Sequence, residues 1–220
     1  MYFPLYWFSR FSHFAMMDIH QERTDDMRQP HYFFALPIPE EEKLRLADQA
    51  DAFPFRKPVH HQDFHLTLAF LGGSGADALD LAKSKVREVS REHDPFTLTF
   101  SGFNFFGREE APRIFWMGVE PSYELNRLRA AVYDACLDAG FELDPRPFAP
   151  HITVARKWGG EYAFHERSPE IEPLHIEFPV EHVVLYRTRL EHIPKYEPVA
   201  TFPLKGLTSE ERGEPHGTAH

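Results

Sequence analysis

The chain has 220 residues and a formal net charge of −10, so as a whole it repels nucleic acid and has no broad electrostatic footprint for a duplex. Hydrophobic residues at 42% and charged residues at 26% give a globular rather than a disordered composition, and no apolar run approaches the ~20 residues that span a bilayer. The single Cys136 excludes an internal disulfide framework and fits a reducing compartment, so a cytoplasmic protein is expected.

In chain order, residues 1–29 come first, opening MYFPLYWFSRFSHFAMMDIHQ. They are crowded with aromatics, carry neither a basic n-region nor a small-residue cleavage site, and read as an extension outside the fold. Met16, Met17 and Met27 leave a downstream translation start open. Short runs rich in β-branched, aromatic and alternating residues then predict strands at 31–36, 64–71, 96–103, 114–119, 149–155, 180–187 and 199–204. Between them, EEEKLRLADQA after Pro39 puts acids in the first turn of a helix. Leu79, Ala82, Val86 and Val89 recur at helical spacing, as do Leu125, Leu128, Val132, Ala135 and Cys136 before a C-capping Gly140. On that stripe Cys136 is core rather than a nucleophile. Residues 208–220 are polar, aperiodic and Gly/Pro-containing, the profile of a disordered tail. The expected domain is therefore 30–207. Helices and strands do not alternate strictly, which predicts an α+β fold with mostly antiparallel sheet.

Two of these strands share a motif. FHLTLAFLG carries His65 and Thr67, and HITVAR, 86 residues later, carries His151 and Thr153. With 14 His and 9 Thr in the chain, chance supplies His-x-Thr roughly once in two such sequences, and a third match at 216–218 falls in the polar tail. Strand context separates the first two. Residues i and i+2 share a face, so each strand offers an imidazole beside a hydroxyl while Leu66 and Leu68, or Ile152 and Val154, pack beneath. Two facing imidazoles can divide a hydrolysis, one taking a proton from water and the other giving one to a leaving oxygen, while hydroxyls hold a phosphate. No cofactor or metal is called for, because the chain has no zinc-ligand spacing, Walker loop or dinucleotide fingerprint. A local phosphate site could draw on Arg146, Arg156, Lys157, Arg187 or Arg189, although each alone reads as solvated charge. His60 and His61 read as surface residues or supports.

With their flanks YFFALPIPE, PRIFWMGVE, AGFELDPRPF and VVLYRTRL, and with Tyr196 and FPL further on, these motifs make residues 31–204 resemble the 2H phosphoesterase superfamily. Within it the sequence is most similar to the RNA 2′,3′-cyclic phosphodiesterases, long labelled 2′-5′ RNA ligases. The resemblance implies a bilobal, pseudo-twofold α+β fold, two mostly antiparallel sheets with flanking helices and a central cleft. It implies His65, Thr67, His151 and Thr153 as the catalytic quartet, His65 as acid and His151 as base, and Phe70 and Arg156 holding the nucleotide. Strict alternation sets Phe70 and Arg156 on the packed faces, so both reach the cleft only if the strands end or bulge before them. The implied substrates are RNA ends or small cyclic nucleotides, hydrolysed to 2′-phosphomonoesters without metal or membrane by a monomer, with reversible RNA ligation as a side activity. The alternatives are another 2H esterase, acting on 2′-5′ linkages or an ADP-ribose cyclic phosphate, and a nucleotide-binding module without turnover.

Overall fold

In the computed structural model residues 30–164 and 176–207 are described; the expected extension at 1–29, the expected tail at 208–220 and the third motif match lie outside them. The strands and helices follow the apolar patterning. They run β1 (His31–Pro37), α1 (Glu40–Ala50), β2 (Phe55–Pro58), a 3-10 turn (His61–Asp63), β3 (His65–Gly73), α2 (Ala76–Glu92), β4 (Phe96–Gly107) and β5 (Pro112–Val119). After these come α3 (Tyr123–Asp138), β6 (His151–Trp158), β7 (Glu177–Val180), β8 (His182–Thr188) and β9 (Tyr196–Pro203).

Two features depart from the sequence reading. β2 was not expected, because FRKP is short, mostly exposed and ends in a proline, leaving no alternation to read. The expected strand at 180–187 is divided. Val180 closes β7 against Phe96 of β4, whereas His182 opens β8 against Pro203 of β9, so the chain passes from one half of the sheet to the other at Glu181.

The strand order is β7-β4-β5-β6-β3-β1-β8-β9, with β2 paired to β6, and every pairing is antiparallel. Two four-stranded halves, β3-β1-β8-β9 and β6-β5-β4-β7, meet where Leu66 of β3 pairs with Ile152 of β6. Beyond that point β2 takes over the edge of β6, from Ala155 to Trp158. A strand, a helix and a motif strand occur in each half, as β1-α1-β3 and β5-α3-β6. Each of these helices packs on the other half's motif strand, α1 on β6 and α3 on β3, which ties the halves into one core and gives the pseudo-twofold. The expected helical stripes are buried, with Leu79, Ala82 and Val86 on α2 and Leu125, Leu128 and Val132 on α3. Cys136 is buried as expected, and burial pushes its thiol up to about 12. α3 ends where the left-handed Gly140 lets Phe141 N–H reach back to the Cys136 carbonyl, a Schellman turn that favours glycine there.

Candidate active site

β3 and β6 share an irregularity. In each strand two consecutive residues are buried, Leu68 with Ala69 and Val154 with Ala155, which breaks the alternation. The cause is a one-residue bulge in the third position after each motif histidine. β1 pairs Phe34 with Ala69 and Ala35 with Thr67, skipping Leu68. β5 pairs Phe115 with Ala155 and Trp116 with Thr153, skipping Val154. A bulge returns the following residue to the face it would otherwise leave. Phe70, 53% exposed, thus rejoins the face of Thr67, and the exposed Arg156 rejoins that of Thr153. Both residues meet the condition that alternation alone denied them.

The antiparallel pair Leu66 and Ile152, carried one residue either way, sets His65 beside Thr153 and Thr67 beside His151 on one face. The two imidazoles are held alike. His65 Nδ1 lies 2.7 Å from the Asp63 carbonyl oxygen, and His151 Nδ1 lies 2.7 Å from that of Ala149. A carbonyl only accepts, so in each ring Nδ1–H is the donor and the neutral imidazole keeps its lone pair on Nε2. That tautomer suits Nε2 for receiving a proton or, once charged, for giving one.

Their surroundings differ. The His65 ring is walled by Phe33 at 4.7 Å, Tyr196 edge-on at 4.9 Å and Tyr186 at 5.9 Å between centroids. Burial among these rings pulls its pKa down to about 4, against the opposing pull of the bond to the Asp63 carbonyl and of the Asp63 charge. Burial likewise pushes Tyr186 up to about 12 and raises Tyr196, against the opposing pull of the nearby Arg156 guanidinium from the other half. His151 has a looser frame, Phe106 edge-on at 5.1 Å and Trp116 at 5.8 Å. Opposite it stands Gly118, where a Cβ would meet Ser101 Oγ at 2.6 Å and the Trp116 ring at 3.1 Å.

Of the five candidate cations, Arg156 is brought to the motif face beside Thr153 and in reach of Tyr196. Arg146 is engaged by Asp144, and Arg187 and Arg189 both close on Glu197, at 2.6 and 2.8 Å. Lys157 is exposed with a left-handed backbone. His60 is exposed and His61 lies 3.3 Å from Glu40, in keeping with supporting roles. Among the described residues no three His, Cys, Asp or Glu side chains converge as metal ligands would. Sequence reasoning missed Phe33, Phe106, Trp116 and Asp63. The first three are aromatics on neighbouring strands, visible only once the pairing is known.

A curled antiparallel α+β sheet, in which two bulged His-x-Thr strands meet, defines a two-histidine cleft. The model of the 2′-5′ RNA ligase superfamily matches residues 38–191, and the chain belongs to that family. An RNA 2′,3′-cyclic phosphodiesterase of Geobacillus stearothermophilus is 44% identical over 196 residues, 87% of this chain and 62% of that protein, so the chain spans about three-fifths of that relative's length. A protein of the same name from Bacillus subtilis is 35% identical over 80% of this chain and 97% of its own. The crystal structure of E. coli LigT complexed with 3′-AMP superposes with a TM-score of 0.66 at 26% identity, covering 80% of this chain and 99% of that one.

Proposed function

We propose that the cleft hydrolyses the 2′,3′-cyclic phosphate of RNA ends or of nucleotides to a 2′-phosphomonoester. The observation that carries this reading is the matched pair of imidazoles, each tied back through Nδ1 and set on one face with Thr67, Thr153 and Arg156. The names of the Geobacillus and Bacillus relatives support the same substrate class, and the LigT complex supports a cleft that takes a nucleotide. His151 Nε2 accepts a proton from water as its oxygen bonds to phosphorus. The P–O3′ bond breaks, and the His65 imidazolium returns a proton to O3′. Thr67, Thr153 and Arg156 hold the non-bridging oxygens as charge builds on them. Phe70 offers a ring for the base.

Burial holds His65 neutral at pH 7, the form of a base rather than an acid. As the acid it must take up its proton when the anionic phosphate enters and, by offsetting the desolvation, raises its pKa. Both half-sites come from one chain, which supports a monomer, and the lone buried Cys136 supports a reducing compartment such as the cytoplasm.

The test is hydrolysis of a cyclic-phosphate-ended oligonucleotide and of adenosine 2′,3′-cyclic phosphate, with 2′ and 3′ products resolved. A 2′-phosphate product is expected, and 3′-phosphate or no turnover would overturn the proposal. Since imidazoles make both proton transfers, turnover should persist in EDTA. A loss on chelation that a divalent ion restores would count against the mechanism.

A further inference from the structure

The residue two before each motif histidine lends its carbonyl to Nδ1, and ahead of β6 alanine suffices for this, Ala149. Ahead of β3 the same position is Asp63, the last residue of the 3-10 turn and only 4% exposed. A buried carboxylate is costly to keep unless it is hydrogen-bonded, so its side chain calls for a use that the carbonyl does not supply. Asp63 Oδ1 accepts from the backbone N–H of Lys195 at 2.8 Å and of Tyr196 at 3.1 Å, more than 130 residues along the chain. Tyr196 opens β9 and Lys195 immediately precedes it. Tyr196 stands edge-on to both His65 and Phe33, at 4.9 and 5.0 Å, and lies within electrostatic reach of Arg156 from the other half.

We propose that Asp63 is the positioning residue of the His65 half-site: by fixing the start of β9 it holds Tyr196 against the His65 ring and near Arg156 of the other half, linking the two halves across the cleft. One residue thus orients the imidazole through its carbonyl and the aromatic wall through its carboxylate. The proposal requires an acceptor oxygen in this place, not a negative charge. The kinetic consequence rests on the phosphodiesterase reading, whereas the placement of Tyr196 does not.

The test compares Asp63→Asn, which keeps the Oδ1 acceptor without charge, with Asp63→Glu, which keeps the charge but displaces the acceptor by a methylene; Asp63→Ala removes both. Two readouts are taken on the full chain: the NMR contact between the His65 and Tyr196 rings, with that between His151 and Phe106 as reference, and kcat/KM on adenosine 2′,3′-cyclic phosphate. Asp63→Asn should retain the contact and most of the rate. Asp63→Glu and Asp63→Ala should lose the contact and about tenfold or more in kcat/KM, because small displacements of catalytic groups are that costly. The reference contact should stay in all three. If Glu outperforms Asn, or if the contact survives in Asp63→Glu and Asp63→Ala, the proposal is overturned. Should Asp63→Ala fail to fold, the order of Asn and Glu still decides. Should the wild type turn over no cyclic phosphate, the functional reading falls while the ring contact continues to judge the role of Asp63.

Discussion

β3 and β6 each set a histidine and a threonine over buried aliphatics, bulge at the third residue after the histidine, and tie Nδ1 to the carbonyl two residues earlier. Around this common backbone the two half-sites diverge. His65 lies among Phe33, Tyr186 and Tyr196 with a buried carboxylate behind it, and its pKa falls to about 4. His151 lies between Phe106 and Trp116, with an alanine in the place of Asp63. The pseudo-twofold therefore supplies matched geometry, and the residues that break it supply unlike environments. An acid and a base need both.

The largest expected effect tests whether the two histidines are chemical at all. His65→Ala and His151→Ala should each lose roughly 10²–10⁴-fold in kcat while remaining folded. Leu68→Ala, at the buried bulge position beneath them, should instead cost about 2–5 kcal/mol of stability. Thermal melts beside single-turnover rates separate the two classes. If both histidine variants melt as low as Leu68→Ala, the residues are structural.

Next are the hydroxyls, where the comparison predicts equality. Under the proposed mechanism Thr67→Val and Thr153→Val each remove one hydrogen bond to a charged phosphate, and each should cost about 10–100-fold in kcat/KM. A loss confined to one of them would break the symmetry that the shared register implies.

The third prediction sharpens the difference between the halves. Because the folded pKa of His65 lies below its unfolded value near 6.5, the unfolded chain binds the extra proton as pH falls. Stability from this source is complete above pH 6.5, declines toward pH 4, and amounts to about 3 kcal/mol at most. Between pH 6.5 and 4 the urea midpoint of wild type should therefore fall relative to that of His65→Gln. Parallel pH profiles would place His65 in a wetter setting than its aromatic walls imply.

The smallest effect concerns Phe70. Its substitution by alanine should raise KM about fivefold with kcat little changed, as expected for a ring that stacks a base in ground and transition states alike. An unchanged KM would leave Phe70 outside the binding face.

Much of this site was legible from residue types and spacing. Period-two alternation identified the polar face of His65, Thr67, His151 and Thr153, and the helical stripes placed Cys136 in the core. Alternation held through Leu68 and Val154 and failed at the next residues, Ala69 and Ala155, because a bulge is made by the partner strand's register and leaves no local mark in an aliphatic run. The break at Glu181 was hidden for a similar reason, since the apolar pattern continues across it while its pairing partners change. Asp63 gave no signal because its partners, Lys195 and Tyr196, are brought to it only by the tertiary fold. What a strand shows to a face is written locally; what stands opposite is not.

The division of labour between the two histidines is tested most directly by changing the leaving group. A phosphodiester whose leaving oxygen belongs to a low-pKa nitrophenol needs little help from an acid, while its hydrolysis still needs a base for water. Relative to the cyclic phosphate, such a substrate should restore much of the lost rate to His65→Ala and little to His151→Ala. Rescue of His151→Ala instead would reverse the roles, and equal failure of both variants would contradict a divided acid and base.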